Sequence, residues 1–156
     1  TSMTKIAVFP GSFDPITVGH VDLLKRSIPL FDKIIVAIGV NSTKKTLYSL
    51  EQRKAWIEKV FKGNDTVEVK DYTGLTINFC KSENANYILR GIRSAADFEY
   101  EKTIAHLNHS MNENIETILM LSPPELSSIS STIVREIIYG KGDVSKFVPK
   151  EVLEAI

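Results

Sequence analysis

The sequence lacks several features that define large classes of protein function. Its 156 residues include a single cysteine, Cys80, so an internal disulfide is excluded and a reducing compartment is favoured. Basic and acidic residues both number 19, and a formal net charge of zero argues against a broad nucleic-acid surface. No apolar run is long enough to span a membrane, and no basic-then-apolar leader is present. We therefore expect a cytoplasmic protein that binds neither membranes nor nucleic acid.

Common catalytic motifs are absent as well. The pattern GxxxxGK[ST] is missing, which excludes a P-loop nucleotidase, and no GxGxxG follows the first apolar run, which argues against a dinucleotide oxidoreductase. The GxSxG elbow of α/β-hydrolases and the HExxH zinc motif are missing too. Cys80 falls in the middle of a predicted helix, on its apolar face, and we interpret it as a packing residue rather than a nucleophile.

The length and composition that remain are those of an ordinary globular protein. The chain is 43% hydrophobic and 24% charged, and 156 residues suffice for one domain with a real core. Thr1 and Ser2 precede Met3, so we interpret the first two residues as a remnant of expression. We expect a single domain over residues 3–156.

Strand and helix patterns alternate along the chain. Short apolar or alternating runs predict strands over 5–9, 33–40, 67–72, 87–91 and 116–121. Helical patterns lie over 18–30, 49–61, 76–83, 95–112 and 130–140, and a last short helix follows Pro149. Ser49 and Gln52 stand at the spacing of a capping box, and Gly140 closes the helix before it.

This alternation predicts an α/β protein with a five-stranded parallel sheet covered on both faces. Right-handed crossovers then give a Rossmann-like, doubly wound sandwich. In such sheets, ligands bind beyond the carboxyl ends of the strands. The loops that follow the strands are therefore the place to look for function.

Those loops carry cations, hydroxyls and helix starts. The residues concerned are Gly11, Ser12, His20, Lys44, Lys45, Arg90, Arg93, Ser127, Ser128, Ser130 and Ser131. For Lys45 alone, simple solvation is the better interpretation, whereas Arg90 and Arg93 bracket a glycine after a buried strand. Because such groups suit oxyanions, we expect a phosphate compound at this edge of the sheet.

The stretch "GSFDPITVGH" gives this expectation a mechanism. Thr17 is a suitable N-cap, which places His20 on the first turn of the helix. Gly19 has no Cβ, so a ligand can lie against the helix start. The imidazole then adds a donor to free backbone N–H groups, an arrangement that stabilises charge on a phosphate during transfer.

Three segments of the sequence resemble a known family. "PGSFDPITVGH", "ILRGIRSAADFEYE" and "SSISSTIVREI", in this order, are similar to segments of the bacterial phosphopantetheine adenylyltransferases, within the nucleotidylyltransferase superfamily. The resemblance extends from Met3 to the final helix. It implies an enzyme that makes dephospho-coenzyme A and pyrophosphate from ATP and 4′-phosphopantetheine.

The resemblance also implies roles for individual residues. His20 would stabilise the transition state, and Lys44 and Arg93 would act with it as catalytic residues. The residues implied for ATP are Ser12, Phe13, His20, Gly91, Ile92, Arg93, Glu101, Leu126, Ser127, Ser128, Ile129, Ser130, Ser131 and Thr132. Those implied for 4′-phosphopantetheine are Ser12, Lys44, Thr76 and Arg90. Leu126 and Ser128 stand where relatives commonly carry aromatics, and Val18 replaces a commonly polar residue.

Further expectations concern cofactor and assembly. A Mg²⁺ ion would screen the triphosphate, held by the nucleotide and water, because the sequence shows no dedicated cage of carboxylates. His106 and His109 lie three apart on a helix, and we interpret them as part of its polar face. The resemblance implies a homohexamer and feedback inhibition by coenzyme A. Two alternatives remain open: a related nucleotidylyltransferase with another acceptor, and a non-catalytic nucleotide-binding module.

Overall fold

Five parallel strands form the centre of the molecule, in a computed structural model that describes residues 4–156. They are β1 (Ile6–Gly11), β2 (Lys33–Gly39), β3 (Val67–Tyr72), β4 (Tyr87–Ile92) and β5 (Glu116–Leu121), in the order β3-β2-β1-β4-β5. The predicted five-stranded parallel sheet is therefore confirmed. The predicted expression remnant and the start at Met3 lie outside the described residues.

Helices cover both faces of the sheet. They are α1 (Val18–Ser27), α2 (Leu50–Val60), α3 (Thr76–Ser82), α4 (Ala95–Met111), α5 (Ser131–Tyr139) and α6 (Lys150–Leu153). Leu24, Ile57 and Val134 bring α1, α2 and α5 into one core cluster, whereas Ile77 of α3 packs in a second cluster. Helix α4 lies on the same face of the sheet as α3. Both helices connect strands in the same direction across the sheet, from β3 to β4 and from β4 to β5, and right-handed crossovers in one direction place their helices on one face.

The alternation of strand residues explains the two layers. In β2, Ile34, Val36 and Ile38 belong to the first cluster, and Ile35 and Ala37 belong to the second. All five are fully buried, as expected for a strand that is covered on both faces. Among the described residues, none of the helices combines the length and the apolar character that crossing a membrane requires.

The sheet is split at its carboxyl end between β1 and β4. The two strands pair only at Ala7 and Val8, although β1 continues beside β2 as far as Gly11. Pro10 can therefore lie inside a central strand, because the proline has no N–H to donate and the β4 side of the strand is open there. This split lies where the strand order reverses, which is where ligands bind in open α/β sheets.

Several element boundaries differ from the sequence predictions, most of them by one residue. Strand β1 extends through Gly11 and β4 through Ile92, so Gly11 and Ile92 lie in paired strands rather than in loops. Helix α1 ends at Ser27 and a 3₁₀ turn over Ile28–Leu30 follows, because Pro29 has no N–H and cannot continue the α-helical ladder. A Cβ at Gly91 would lie 2.8 Å from Leu23 Cδ1, so α1 packs directly against this strand end.

Candidate active site

Two adjoining cavities lie at the carboxyl ends of the strands. The larger cavity, of about 610 Å³, extends over β2 and β3, and the smaller, of about 410 Å³, lies between the starts of α1 and α5. Six residues line both of them: Pro10, Gly11, Ser12, Lys44, Arg90 and Glu101. A molecule in one cavity would therefore meet a molecule in the other along this shared wall.

His20 lies in the smaller cavity, on the first turn of α1 as predicted. Thr17 is the N-cap, and its backbone N–H donates to His20 Nδ1 at 3.0 Å, which completes a capping box. Because Nδ1 accepts this bond, the ring proton of the neutral imidazole is on Nε2. The imidazole ring thus presents a single, oriented N–H donor.

The surroundings keep His20 neutral. Burial, with Arg90 and Arg93 nearby, lowers the pKa of His20 from 6.5 to about 4. Its ring packs edge-on against Phe13, with the ring centroids 4.9 Å apart. At neutral pH His20 is therefore a donor without a charge.

Arg90 joins the two sides of the split sheet. Its Nε and Nη2 donate to the Glu101 carboxylate at 2.9 and 2.8 Å, and its Nη1 donates to the Pro10 carbonyl oxygen at 2.8 Å. Glu101 is only 6% exposed, so this bidentate ion pair compensates a buried carboxylate. The resemblance assigned Arg90 to one substrate and Glu101 to the other, whereas the structure places both in one pair between the cavities.

Cations exceed anions around the cavities. The basic residues that line them are Lys44, Arg53, Arg90, Arg93 and Arg135, against the acidic residues Asp97 and Glu101. Within residues 4–156, neither Lys44 nor Arg53 forms an ion pair with a carboxylate. A chain of zero net charge has therefore collected an excess of positive charge at one site, which suits a polyanion.

The serine-rich segment closes the smaller cavity. Ser130 is the N-cap of α5, and its Oγ accepts from the Ile133 N–H at 3.2 Å. Ser131 has a different role, since its hydroxyl donates to the Pro15 carbonyl oxygen at 2.8 Å. The start of α5 thereby packs against the first loop, and its free N–H groups add to the local positive potential.

Most of the predicted site residues lie together. The smaller cavity is lined by Ser12, Phe13, His20, Lys44, Arg90, Gly91, Arg93, Glu101, Leu126, Ile129, Ser130, Ser131 and Thr132, and the larger cavity by Thr76. Three predicted residues, Ile92, Ser127 and Ser128, line neither cavity. The Phe13 side chain is 2% exposed and packs in the core, so only its backbone can meet a ligand.

Among the cavity-lining residues that were not predicted from the sequence, three form hydrogen bonds that shape the site. Tyr72 lies in the larger cavity, with its hydroxyl 2.7 Å from Thr76 Oγ1. Arg53 of α2 is 5% exposed and donates through Nη1 to the Ser12 carbonyl oxygen at 2.8 Å. Arg135 of α5 donates to the Asp14 carbonyl oxygen at 2.9 Å. The only sequence signal for Arg53 and Arg135 was an arginine within a predicted helix. Most arginines in helices are solvated, so this signal does not identify a site residue.

Groups that suggest other chemistry lie elsewhere. Cys80 is buried, and burial raises the pKa of its thiol to about 12, which confirms a packing role. His109 Nε2 lies 3.4 Å from Glu116, away from the two cavities. The part of the chain that the structure describes holds no group of three or more potential metal ligands.

Comparisons with known proteins show what the chain as a whole is similar to. The cytidylyltransferase-like family profile matches residues 8–137. The phosphopantetheine adenylyltransferase of Flavobacterium psychrophilum is 56% identical over 94% of this chain and 96% of its own length. The phosphopantetheine adenylyltransferase of Clostridium perfringens is 43% identical over 96% of this chain and 92% of its own length.

A solved structure supports the fold alone. A chain from Vibrio parahaemolyticus, assigned to the nicotinate-nucleotide adenylyltransferases, superposes with a TM-score of 0.66. The superposition covers 96% of both chains, at 19% sequence identity. The Rossmann-like architecture is thus shared well beyond the range of clear sequence similarity.

Proposed function

The chain belongs to the cytidylyltransferase-like family and, within it, to the phosphopantetheine adenylyltransferases, and from this membership we propose how its site acts. The reaction transfers the adenylyl group of ATP to 4′-phosphopantetheine and yields dephospho-coenzyme A and pyrophosphate. ATP occupies the smaller cavity and 4′-phosphopantetheine the larger one. The observation that carries this assignment is the wall shared by the two cavities, where Lys44 and Arg90 face both.

The reaction requires little covalent chemistry from the protein. An oxygen of the acceptor phosphate attacks the α-phosphorus of ATP, a new P–O bond forms, and the bond to pyrophosphate breaks. The acceptor phosphate is already ionised near neutral pH, so no general base is needed. Both reactants are anions, and the enzyme must therefore align them and offset their repulsion.

The surplus of cations around the cavities suits that task. Lys44 contributes a charge that no carboxylate within residues 4–156 offsets by an ion pair. His20 donates its Nε2–H to the oxygen on which negative charge grows, and it does so as a neutral group. Arg93 and the start of α5 bind the rest of the triphosphate.

Each cavity has its own set of substrate contacts. For ATP we propose Ser12, the Phe13 backbone, His20, Gly91, Arg93, Glu101, Leu126, Ile129, Ser130, Ser131 and Thr132. For 4′-phosphopantetheine we propose Ser12, Lys44, Thr76 and Arg90. We retain Ile92, Ser127 and Ser128 only as neighbours of the nucleotide, because they line neither cavity.

Mg²⁺ is part of this proposal as a companion of the nucleotide. The carboxylates beside the smaller cavity already form ion pairs with arginines, since Glu101 pairs with Arg90 and Asp97 lies 3.5 Å from Arg93 Nε. This donor set fits an ion held by phosphate oxygens and water rather than by a protein cage. When bound, the ion would supply charge neutralisation on the triphosphate.

Assembly, regulation and location complete the proposal. Helix α4 exposes apolar side chains that a homohexamer would cover, namely Phe98, Leu107 and Met111, whereas its exposed Tyr100 and Ile104 line the larger cavity. Coenzyme A resembles the reaction product and would span both cavities, which supports feedback inhibition. A free buried thiol at Cys80 and the use of ATP are consistent with the cytoplasm.

A pyrophosphate-release assay tests the proposed function. The purified protein is incubated with ATP, Mg²⁺ and 4′-phosphopantetheine, and dephospho-coenzyme A is identified by mass. A panel in which CTP replaces ATP, or nicotinamide mononucleotide or glycerol 3-phosphate replaces the acceptor, should give little turnover. Equal or faster turnover with another pair would identify a related nucleotidylyltransferase instead, and binding without turnover would identify a non-catalytic module.

A further inference from the structure

The Asp14 carboxylate lies where the first loop, the loop before α2 and helix α5 meet. It is 3% exposed, and Oδ2 and Oδ1 accept from the backbone N–H groups of Leu47 and Tyr48 at 2.8 and 2.9 Å. Arg135 Nη1 is 3.9 Å from Oδ2, and it also donates to the Asp14 carbonyl oxygen at 2.9 Å. Burying a carboxylate costs several kcal/mol unless hydrogen bonds and a nearby cation compensate it. These partners are therefore what allows Asp14 to be buried here.

The two N–H groups belong to the loop that carries Lys44. That loop connects β2 to α2 and spans residues 40–49. Before Lys44, Asn41 Oδ1 accepts from the Thr43 N–H at 3.0 Å, which is a local turn and fixes nothing outside the loop. The bonds to Asp14 join residues 33 and 34 positions apart in the sequence. They attach the loop to the segment that carries Ser12.

Lys44 depends on this attachment for its position. Its side chain is exposed and lines both cavities, but within residues 4–156 no carboxylate holds it in an ion pair. A lysine has four flexible side-chain torsions, so the backbone is what limits where its charge can lie. Leu47, only three residues later, is the nearest point at which Asp14 fixes that backbone.

We propose that Asp14 is a positioning residue for the adenylyl transfer: its carboxylate holds the Lys44 loop against the first loop, and it acts on the reaction through Lys44. This proposal rests on the proposed function, since it assumes that Lys44 serves the reacting phosphates. Asp14 itself need not touch either substrate. It is required because the charge of Lys44 must be aligned with the donor of His20.

A double-mutant cycle tests this role. We compare Asp14→Asn, Lys44→Ala and the double variant with the wild type, measuring kcat/KM for 4′-phosphopantetheine at saturating ATP. Asparagine keeps the size of the side chain but turns one acceptor oxygen into an N–H₂ group that faces a backbone donor. We expect Asp14→Asn to lower kcat/KM roughly 10- to 100-fold alone, and less than about threefold when Lys44 is already alanine.

A matched control separates this effect from a general loss of a carboxylate. Asp32 Oδ2 accepts from the Lys5 N–H at 2.7 Å, at the opposite end of β1 and β2. Asp32→Asn should leave kcat/KM unchanged in both backgrounds. An equal cost of Asp14→Asn with and without Lys44 would overturn the proposal, because the carboxylate would then act independently of the lysine.

Hydrogen exchange on the wild type keeps the test decisive if Asp14→Asn does not fold. The amides of Leu47 and Tyr48 should exchange at least about tenfold more slowly than that of Lys45 in the same loop. Equal exchange rates would show that Asp14 does not hold the loop in solution. A wild type that lacks adenylyl transfer overturns the proposed function instead, whereas additive costs in an active enzyme overturn only the role of Asp14.

Discussion

Replacing His20 by alanine removes the side-chain donor that the first turn of α1 presents to the smaller cavity. Because Nδ1 is occupied by the Thr17 N–H at 3.0 Å, the ring has only its Nε2–H to offer. The loss of one donor of this kind typically costs about 3 kcal/mol of transition-state stabilisation, or roughly 10²–10³ in kcat. We expect that decrease in kcat with little change in the affinity for ATP, since the charge to be stabilised grows only during transfer.

The same substitution has a second, separable cost. Without the imidazole, the Thr17 N–H loses its acceptor and the capping box is broken. This should lower the free energy of unfolding by about 1 kcal/mol, which a melting curve detects without abolishing the fold. His20→Gln restores an N–H donor at a similar reach and should recover part of the lost kcat.

The assay follows pyrophosphate release at saturating substrates, together with calorimetric titration of ATP. His106→Ala is the matched control, because His106 is exposed on α4 and lines neither the larger nor the smaller cavity. It should retain wild-type kcat and affinity. If folded His20→Ala turns over within about threefold of the wild type, then the ring serves only to cap α1 and the mechanism proposed here is wrong.

Three further predictions test the electrostatics of the site. In a variant with glutamine at the other two histidines, NMR should show the His20 ring titrating near pH 4 in the free protein. The free energy of unfolding should decrease as the pH falls from 6.5 towards 4, because the unfolded chain takes up the proton at a higher pH than the folded protein does. A titration midpoint near 6.5 would contradict the effect of burial on the pKa of His20. Ser130→Asp should keep the cap of α5 but weaken ATP binding at least about tenfold, because the added carboxylate repels the triphosphate. As a control, Ser49→Asp at the N-cap of α2 should leave the affinity for ATP unchanged. Equal ATP affinity in both variants would exclude the start of α5 as a phosphate site. Arg93→Ala should raise the KM for ATP with little effect on the KM for 4′-phosphopantetheine, and an equal rise of both constants would refute the assignment of Arg93 to the nucleotide.

The elements of the fold were predictable because their signals are local. A buried strand is visible as a short apolar run, and a helix start is visible as a capping residue three positions before its partner. Ser49 with Gln52 forms the capping box that its spacing indicates, and Thr17 is the N-cap of α1 as predicted. The reciprocal bond from His20 back to Thr17 was not predicted. The strand ends that were wrong, at Gly11 and Ile92, lie where pairing with a neighbouring strand extends an element beyond its own pattern.

The site was only partly predictable, because side-chain partners depend on the whole topology. Sequence placed His20, Lys44, Arg90 and Arg93 at one sheet edge, and all four line the cavities there. It gave no indication that Arg90 pairs with Glu101, since that pair forms only once α4 lies across β4.

The sequence by itself therefore determined the strands, the helices, the edge of the sheet that binds ligands and the residue at the first turn of α1. Only the tertiary structure decided how the loops at that edge hold one another. Arg90 reaches Pro10 across 80 positions, and Arg135 reaches Asp14 across 121. Periodicity and capping act over a few residues, whereas contacts at such separations exist only after the strand order β3-β2-β1-β4-β5 has brought the loops together.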